Sequence, residues 1–183
     1  MFDFKNITQT IRLGLLVVAV LSYFSRPVSA EVDQEYAVRA GLASNLARFT
    51  TWPDAAVASM GKNITLCLVG NPDLEETFTN LNGKTIGEKI LQVRYLSRLN
   101  NLNECQLIYI SELDKNKLLL LINEIKSLPI LTIGEDDFFI KNGGMVSLQI
   151  INGKVSITVN LNAAKNSNLS ISARVLKLAT VIQ

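Results

Sequence analysis

Short apolar runs alternate with stretches of helical periodicity along most of the chain. The two clearest runs, at residues 64–70 and 105–110, have the length and composition of buried β-strands. Periodicity alone leaves a buried helical segment open as an alternative for either run. We interpret them as neighbouring strands of one sheet.

The same patterns predict the other elements. Further strands are expected at residues 85–96, 129–133, 145–151 and 154–159, and helices at residues 31–51, 71–80, 115–127 and 170–182. Gly87 is interpreted as a bulge inside its strand. Asn152 and Gly153 separate the last two strands, and this pair is the strongest short signal for a β-hairpin. Residues 54–62 and 160–168 are predicted to be connections without regular structure.

Strands that alternate with helices favour parallel pairing, because the helices serve as crossover connections. The hairpin adds an antiparallel pair. The predicted fold class is therefore α/β: a three-layer sandwich with a mostly parallel sheet, an antiparallel hairpin at one edge, and helices on both faces.

Residues 1–30 have the pattern of a secretory signal peptide, with Lys5 and Arg12 before an apolar run at residues 13–24. Small residues at Val28 and Ala30 predict cleavage before Glu31. A retained membrane anchor is the alternative, but the apolar run is shorter than the roughly 20 residues that span a bilayer. We expect residues 31–183 to form a single exported domain.

The net charge falls from +2 to zero when the predicted signal peptide, residues 1–30, is left out. The whole chain has 18 basic and 16 acidic residues, and residues 31–183 have 15 of each. Nucleic-acid binding needs a clustered basic excess, so no nucleic-acid partner is expected.

Cys67 and Cys105 are the only cysteines of the 183 residues. In an exported chain such a pair predicts a disulfide, with two free buried thiols as the alternative. Their wide separation favours a structural bridge over a redox-active pair, which is usually close in sequence. Closing a loop of this length is worth about 4 kcal/mol in the chain-entropy model.

The sequence offers little for catalysis. It contains no histidine, which excludes histidine-based triads and the commonest zinc sites. The acidic cluster at residues 135–137 is interpreted as a solvated turn with a capping acid. We therefore expect no catalytic residues, no metal and no cofactor, and we do not expect an enzyme.

Gly70 ends the first central strand and Asn71 follows it, at the position where α/β folds often hold ligands. They lack a dinucleotide fingerprint or a phosphate-loop lysine, so they are only candidate ligand-binding residues. Trp52, the single tryptophan, is more typical of a core or edge plug than of a ligand platform.

Several dispersed motifs together resemble the YfiR-like periplasmic regulators along nearly all of residues 31–183. The matching segments are Phe49-x-x-Trp52-Pro53 at the end of the first helix, the strand at residues 66–70, Cys105-Gln106, residues 131–138, Gly143-Gly144-Met145 and Leu176-x-Leu178-Ala179. The resemblance rests on their order and spacing.

This resemblance implies a dimeric periplasmic protein that inhibits a membrane-bound diguanylate cyclase of the YfiN type by contacting its periplasmic region. Cyclic di-GMP and biofilm formation would then rise when the inhibition is released by envelope stress or redox change. It also implies an outer-membrane lipoprotein as a further partner. The best-known member has a second disulfide late in the chain, which this sequence cannot form.

Five residues fit the family pattern without being obviously part of the core, and they are the candidate partner-binding residues: Arg39, Arg48, Trp52, Asn142 and Arg174. Surface ion pairs and turn formation are the alternative roles for each of them. The alternative function is a periplasmic sensory domain that binds a small molecule near Gly70 and Asn71.

Overall fold

The computed structural model describes the backbone of residues 28–183 and the side chains of residues 34–183. The predicted signal peptide lies almost wholly outside the described residues. Residues 35–183 form one compact unit, which contains all of the strands described below.

The helices are α1 (Val28–Arg48), α2 (Asp54–Ser59), α3 (Leu74–Thr79), α4 (Lys115–Ile125), α5 (Asp137–Lys141), α6 (Leu161–Asn166) and α7 (Ala173–Leu176), with a short 3-10 helix at Leu102–Glu104. The strands are β1 (Thr50–Thr51), β2 (Asn63–Gly70), β3 (Thr85–Ile86), β4 (Lys89–Tyr95), β5 (Leu107–Ser111), β6 (Leu131–Gly134), β7 (Val146–Ile151), β8 (Lys154–Asn160), β9 (Ser170–Ile171) and β10 (Thr180–Ile182).

Eight strands form the main sheet in the order β10-β8-β7-β6-β5-β2-β4-β3. The pairs β7–β8 and β3–β4 are antiparallel and the others are parallel. The chain passes from β2 to β4 on one side and then returns to place β5 on the other side of β2. The strand order therefore reverses between β2 and β5, which is the topological switch point of the sheet.

Both faces of the central strands are covered. In β2, Leu66 and Leu68 belong to a core cluster that includes residues of α1, whereas Cys67 and Val69 belong to a second cluster built with α4. Alternate side chains of a strand point to opposite faces, so continuous apolar runs are what a doubly covered sheet requires. The predicted α/β fold class is confirmed.

The structure contains the predicted disulfide between Cys67 and Cys105, whose Cα atoms are 5.8 Å apart. Cys67 lies inside β2, and Cys105 lies just before β5 rather than within it. Both residues are buried, at 0% and 2% exposure. The bridge thus joins β2 to the segment just before β5, inside the core.

Two segment predictions were wrong in detail because pairing between distant residues decided them. Residues 85–96 are not one strand with a bulge: Gly87, at φ +60°, lies in the turn of the β3–β4 hairpin. Residues 170–182 are not a helix throughout, since β9 pairs with β1 and β10 pairs with β8. The predicted end of the first helix is also wrong: α1 stops at Arg48, and residues 50–51 form β1, which pairs with β9.

Two predicted connections contain short helices, α2 and α6. The side chain of Asn160 caps α6 by accepting a hydrogen bond from the backbone N–H of Ala163 at 3.0 Å. Within the described part of the chain, no helix is both long and apolar enough to cross a bilayer.

Candidate functional site

Polar residues follow three neighbouring strands of the main sheet where those strands end. Asn71 follows β2, Glu112 follows β5 and Glu135 follows β6. These strands are parallel, so their carboxyl ends meet at one edge of the sheet, beside the switch point between β2 and β5. Ligands of open α/β sheets bind at such a position.

The ends of β2 and β5 approach each other closely. Gly70 has φ +102°, and a Cβ at this position would lie 1.8 Å from the backbone oxygen of Ser111. The backbone N–H of Asn71 donates to that same oxygen at 2.9 Å. Only glycine fits here, and its absence of a side chain brings Asn71 beside the end of β5.

One hydrogen-bonded group links α1 to both strand ends. The hydroxyl of Tyr36 donates to Oε1 of Glu112 at 3.2 Å. The side-chain amide of Asn71 donates to the Tyr36 oxygen and to Oε1 of Glu112, each at 3.2 Å. Burial is the main cause that raises the pKa of Tyr36 above its ordinary value, so its phenol stays protonated and can donate.

A second group surrounds Glu135. The Tyr109 hydroxyl donates to Oε1 and the Ser111 hydroxyl donates to Oε2, both at 2.7 Å. Burial, followed by the negative charge of Glu135, raises the pKa of Tyr109. The side chain of Glu135 is only 17% exposed, so these two donors compensate a largely desolvated carboxylate.

Arg39 of α1 extends to the same place. Its guanidinium nitrogens lie 3.8 Å from Oε1 of Glu135 and 3.7 Å from Oε2 of Glu35, and the group lies 5.5 Å from the centre of the Tyr36 ring. The side chain is 13% exposed. Its Nε is buried without a hydrogen-bond partner among the described residues. This guanidinium is therefore fixed by charge and packing, with hydrogen-bonding capacity left over.

We call the cavity beside these residues the switch-point cleft. It has a volume of about 300 Å³ and is lined by Arg39, Ile110, Glu112, Leu113, Leu118, Glu135, Asp136 and Phe139. Its lining holds donors, carboxylate acceptors and an apolar wall, which is an arrangement suited to binding. Among the described residues no group of three potential metal ligands is close enough to hold an ion.

The structure brings three of the predicted residues together at this edge of the sheet. Gly70 and Asn71 were predicted as ligand-binding residues, and Arg39 as a partner-binding residue. Their roles stay predictions, but Asn71 and Arg39 both contact Tyr36.

The other candidate partner-binding residues lie elsewhere. Arg48 and Trp52 line a cavity of about 310 Å³ at the end of α1, and Arg48 donates to the backbone oxygen of Thr85 at 3.1 Å. Trp52 is 8% exposed, which agrees with its interpretation as a plug. Asn142 lies in a different cavity, of about 450 Å³, whereas Arg174 is exposed on α7.

Sequence reasoning did not single out Tyr36, Tyr109, Ser111 or Glu112 for this site, and it placed Glu135 in a solvated turn. That interpretation of Glu135 was wrong, because two hydroxyl donors enclose it. The neighbouring Asp136 does cap α5, accepting from the Phe139 N–H at 2.7 Å. The signal that could have found the site is a polar residue directly after each apolar strand.

Residues 36–180 match the model of a protein family described as DUF4154, YfiR/HmsC-like. The chain belongs to the YfiR/HmsC-like family. The match includes the central sheet and the switch-point cleft, and the resemblance expected from the sequence is confirmed.

Other similarities are more distant. No curated protein was found to match the chain. Among solved structures, the chain is similar to a conserved domain protein from Vibrio cholerae O1 biovar El Tor str. N16961, with 14% sequence identity and a TM-score of 0.44. The similarity covers 72% of this chain and 60% of that one, so the chain spans less than two thirds of its length.

Proposed function

We propose that this protein is a periplasmic regulator that binds and inhibits a membrane-bound diguanylate cyclase of the YfiN type, and thereby limits cyclic di-GMP and biofilm formation. The observation that carries the proposal is the family match over residues 36–180. Membership of the YfiR/HmsC-like family supports a periplasmic role in diguanylate cyclase signalling, and the identity and inhibition of the cyclase are the proposed steps.

The buried Cys67–Cys105 bridge supports an exported location, because disulfides persist in oxidising compartments such as the periplasm. In this proposal residues 1–30 are removed during export, with cleavage near Ala30 and Glu31. Intact mass measurement of protein purified from the periplasm would check the cleavage position.

Inhibition of this kind needs no catalytic group. A repressor that binds the inactive conformation of its target better than the active one shifts the population by that difference in affinity. Moving an equilibrium from 1:99 to 99:1 takes roughly a 10⁴-fold preference. The protein is therefore proposed to be a binding protein rather than an enzyme, acting as a homodimer, with an outer-membrane lipoprotein as a second partner that sequesters it.

The proposal is tested first in cells. Deleting the gene should raise cyclic di-GMP, measured by mass spectrometry, and deleting the candidate cyclase as well should abolish the rise. Cyclic di-GMP that is unchanged in the single deletion, in a strain that expresses such a cyclase, would contradict the proposal.

The partner surface is tested by co-purification from detergent-solubilised membranes. Arg48→Met and Arg174→Ala remove exposed positive groups, and we expect less cyclase to be recovered with the tagged protein. Arg98→Ala is the matched control, since Arg98 is exposed and outside the predicted partner residues. Equal recovery with all three variants would place the partner surface elsewhere.

A further inference from the structure

The charges that line the switch-point cleft have opposite signs and lie close together. Glu112, Glu135 and Asp136 are carboxylates, and Arg39 is the one cation among the lining residues. An anionic ligand would meet three like charges, and an ammonium group could bond to the carboxylates but not to the guanidinium. A neutral ligand that both donates and accepts hydrogen bonds can use the carboxylates and the guanidinium together.

Arg39 supplies unused donors. It is largely buried, its ion-pair distances of 3.7 and 3.8 Å are longer than hydrogen bonds, and its Nε has no partner among the described residues. A buried donor without an acceptor destabilises the folded protein. The terminal guanidinium nitrogens, which make only these long ion pairs, can donate to an oxygen acceptor in the cleft.

The carboxylates supply the acceptors. Oε1 of Glu112 receives hydrogen bonds from Tyr36 and Asn71, and Oδ1 of Asp136 receives one from the Phe139 N–H. Among the described residues the second oxygen of Glu112 and that of Asp136 receive no hydrogen bond from protein, whereas both oxygens of Glu135 already accept from hydroxyls. Hydroxyl groups fit this lining because each one can accept from the guanidinium and donate to a carboxylate.

The wall of the cleft is apolar, formed by Ile110, Leu113, Leu118 and Phe139. Sugar rings present C–H groups on their faces and hydroxyl groups at their rims, so they can contact a wall of this kind while bonding to the polar residues. A volume of about 300 Å³ lies at the lower end of the range for ligand sites and accommodates a single ring.

We propose that the switch-point cleft binds a neutral polyhydroxylated molecule the size of a monosaccharide, with Arg39 as the donor and Glu112 and Asp136 as the acceptors. This inference goes beyond cyclase regulation and does not depend on it, because it concerns a ligand site on the isolated chain.

The test is an NMR titration of the purified exported chain, ¹⁵N-labelled, with D-glucose, N-acetylglucosamine and myo-inositol. Citrate and spermidine serve as anionic and cationic probes of comparable size. We expect at least one neutral probe to shift the amide signals of Gly70, Ser111 and Glu135 in a saturable way, and neither charged probe to do so.

Two variants locate the site. Arg39→Met keeps the aliphatic stem and removes the guanidinium, and Glu112→Gln keeps the shape of an exposed side chain and removes its charge. Each should weaken binding roughly tenfold or more, since hydrogen bonds to charged groups are the strong ones. Arg98→Met should bind like the unaltered protein. If Arg39→Met fails to fold, Glu112→Gln still decides the outcome.

Saturation by citrate or spermidine instead of the neutral probes would overturn the proposal. So would the absence of saturable shifts with every probe, or sugar binding that both cleft variants leave unchanged. The titration contains no cyclase, so its failure would leave the cyclase proposal standing, and a failure of the cyclase proposal would leave this site standing.

Discussion

The same two strands, β2 and β5, have very different surroundings at two places only a few residues apart. Around Cys67 and Cys105 the chain is covalently joined and almost fully excluded from solvent. Three residues beyond Cys67, β2 ends at Gly70, and the next residue, Asn71, donates to Glu112 of the switch-point cleft. That cleft is lined by charged groups, one of which has an unsatisfied donor. The covalent bridge and the apolar core therefore hold together two strands whose ends carry polar groups.

The largest expected effect is loss of the bridge. Replacing Cys67 and Cys105 together by serine should reduce the free energy of unfolding by about 2–5 kcal/mol, because the unfolded chain gains conformational freedom. Urea unfolding followed by circular dichroism measures the change. An unchanged midpoint would show that the bridge does not stabilise these strands.

The second effect concerns the contact between the strand ends. Gly70→Ala should destabilise the protein by about 1–3 kcal/mol from its positive φ alone, with the clash against Ser111 added to it. Gly41→Ala is the control, since Gly41 lies within α1 and a Cβ there meets nothing within 4 Å. That variant should be stabilised by up to about 1 kcal/mol. Equal effects in thermal unfolding would contradict the close approach at Gly70.

A smaller effect is expected from the hydrogen bonds to Glu135 at the ends of the strands. Tyr109→Phe removes one of the two hydroxyl donors to Glu135. We expect a loss of about 1–3 kcal/mol, because a largely buried carboxylate loses a partner. Chemical denaturation measures it, and a variant as stable as the parent would show that water satisfies Glu135 instead.

The smallest effect is a dependence on alkaline pH. The pKa of Tyr109 is raised in the folded protein, chiefly by burial, so above about pH 10 the unfolded state loses this proton first. The stabilisation from the neutral phenol is complete below pH 10 and is lost as the pH rises through the folded pKa. Denaturation between about pH 9 and 11 should show stability that falls above about pH 10, and Tyr109→Phe should flatten that fall. An equal slope in both proteins would contradict the assignment.

Local pattern was sufficient for the centre of the fold. The runs around Cys67 and Ile108 are continuous because each strand is covered on both faces, and the Asn152-Gly153 pair marks the β7–β8 turn. The pattern failed where short segments pair with distant ones, as β10 does with β8. A strand of three residues is too short for its alternating pattern to be distinguished from the spacing of a helix.

The cleft was only partly predictable. Gly70 and Asn71 could be suspected from their position after a strand, but nothing in the local sequence connects Tyr36 with Glu112, 76 residues away. The two hydroxyls that donate to Glu135 come from a neighbouring strand, and no local sequence pattern indicates that contact.

The sequence by itself determined the α/β class, the two central strands, the disulfide and the family, because each of these follows from local periodicity, from residue counts or from motifs in a fixed order. The tertiary structure alone decided which strand ends are adjacent, and hence that Arg39, Glu112 and Glu135 line one cleft. The reason is physical: the strand order reverses between β2 and β5, and that reversal brings together polar residues whose separation in the sequence gives no sign of it.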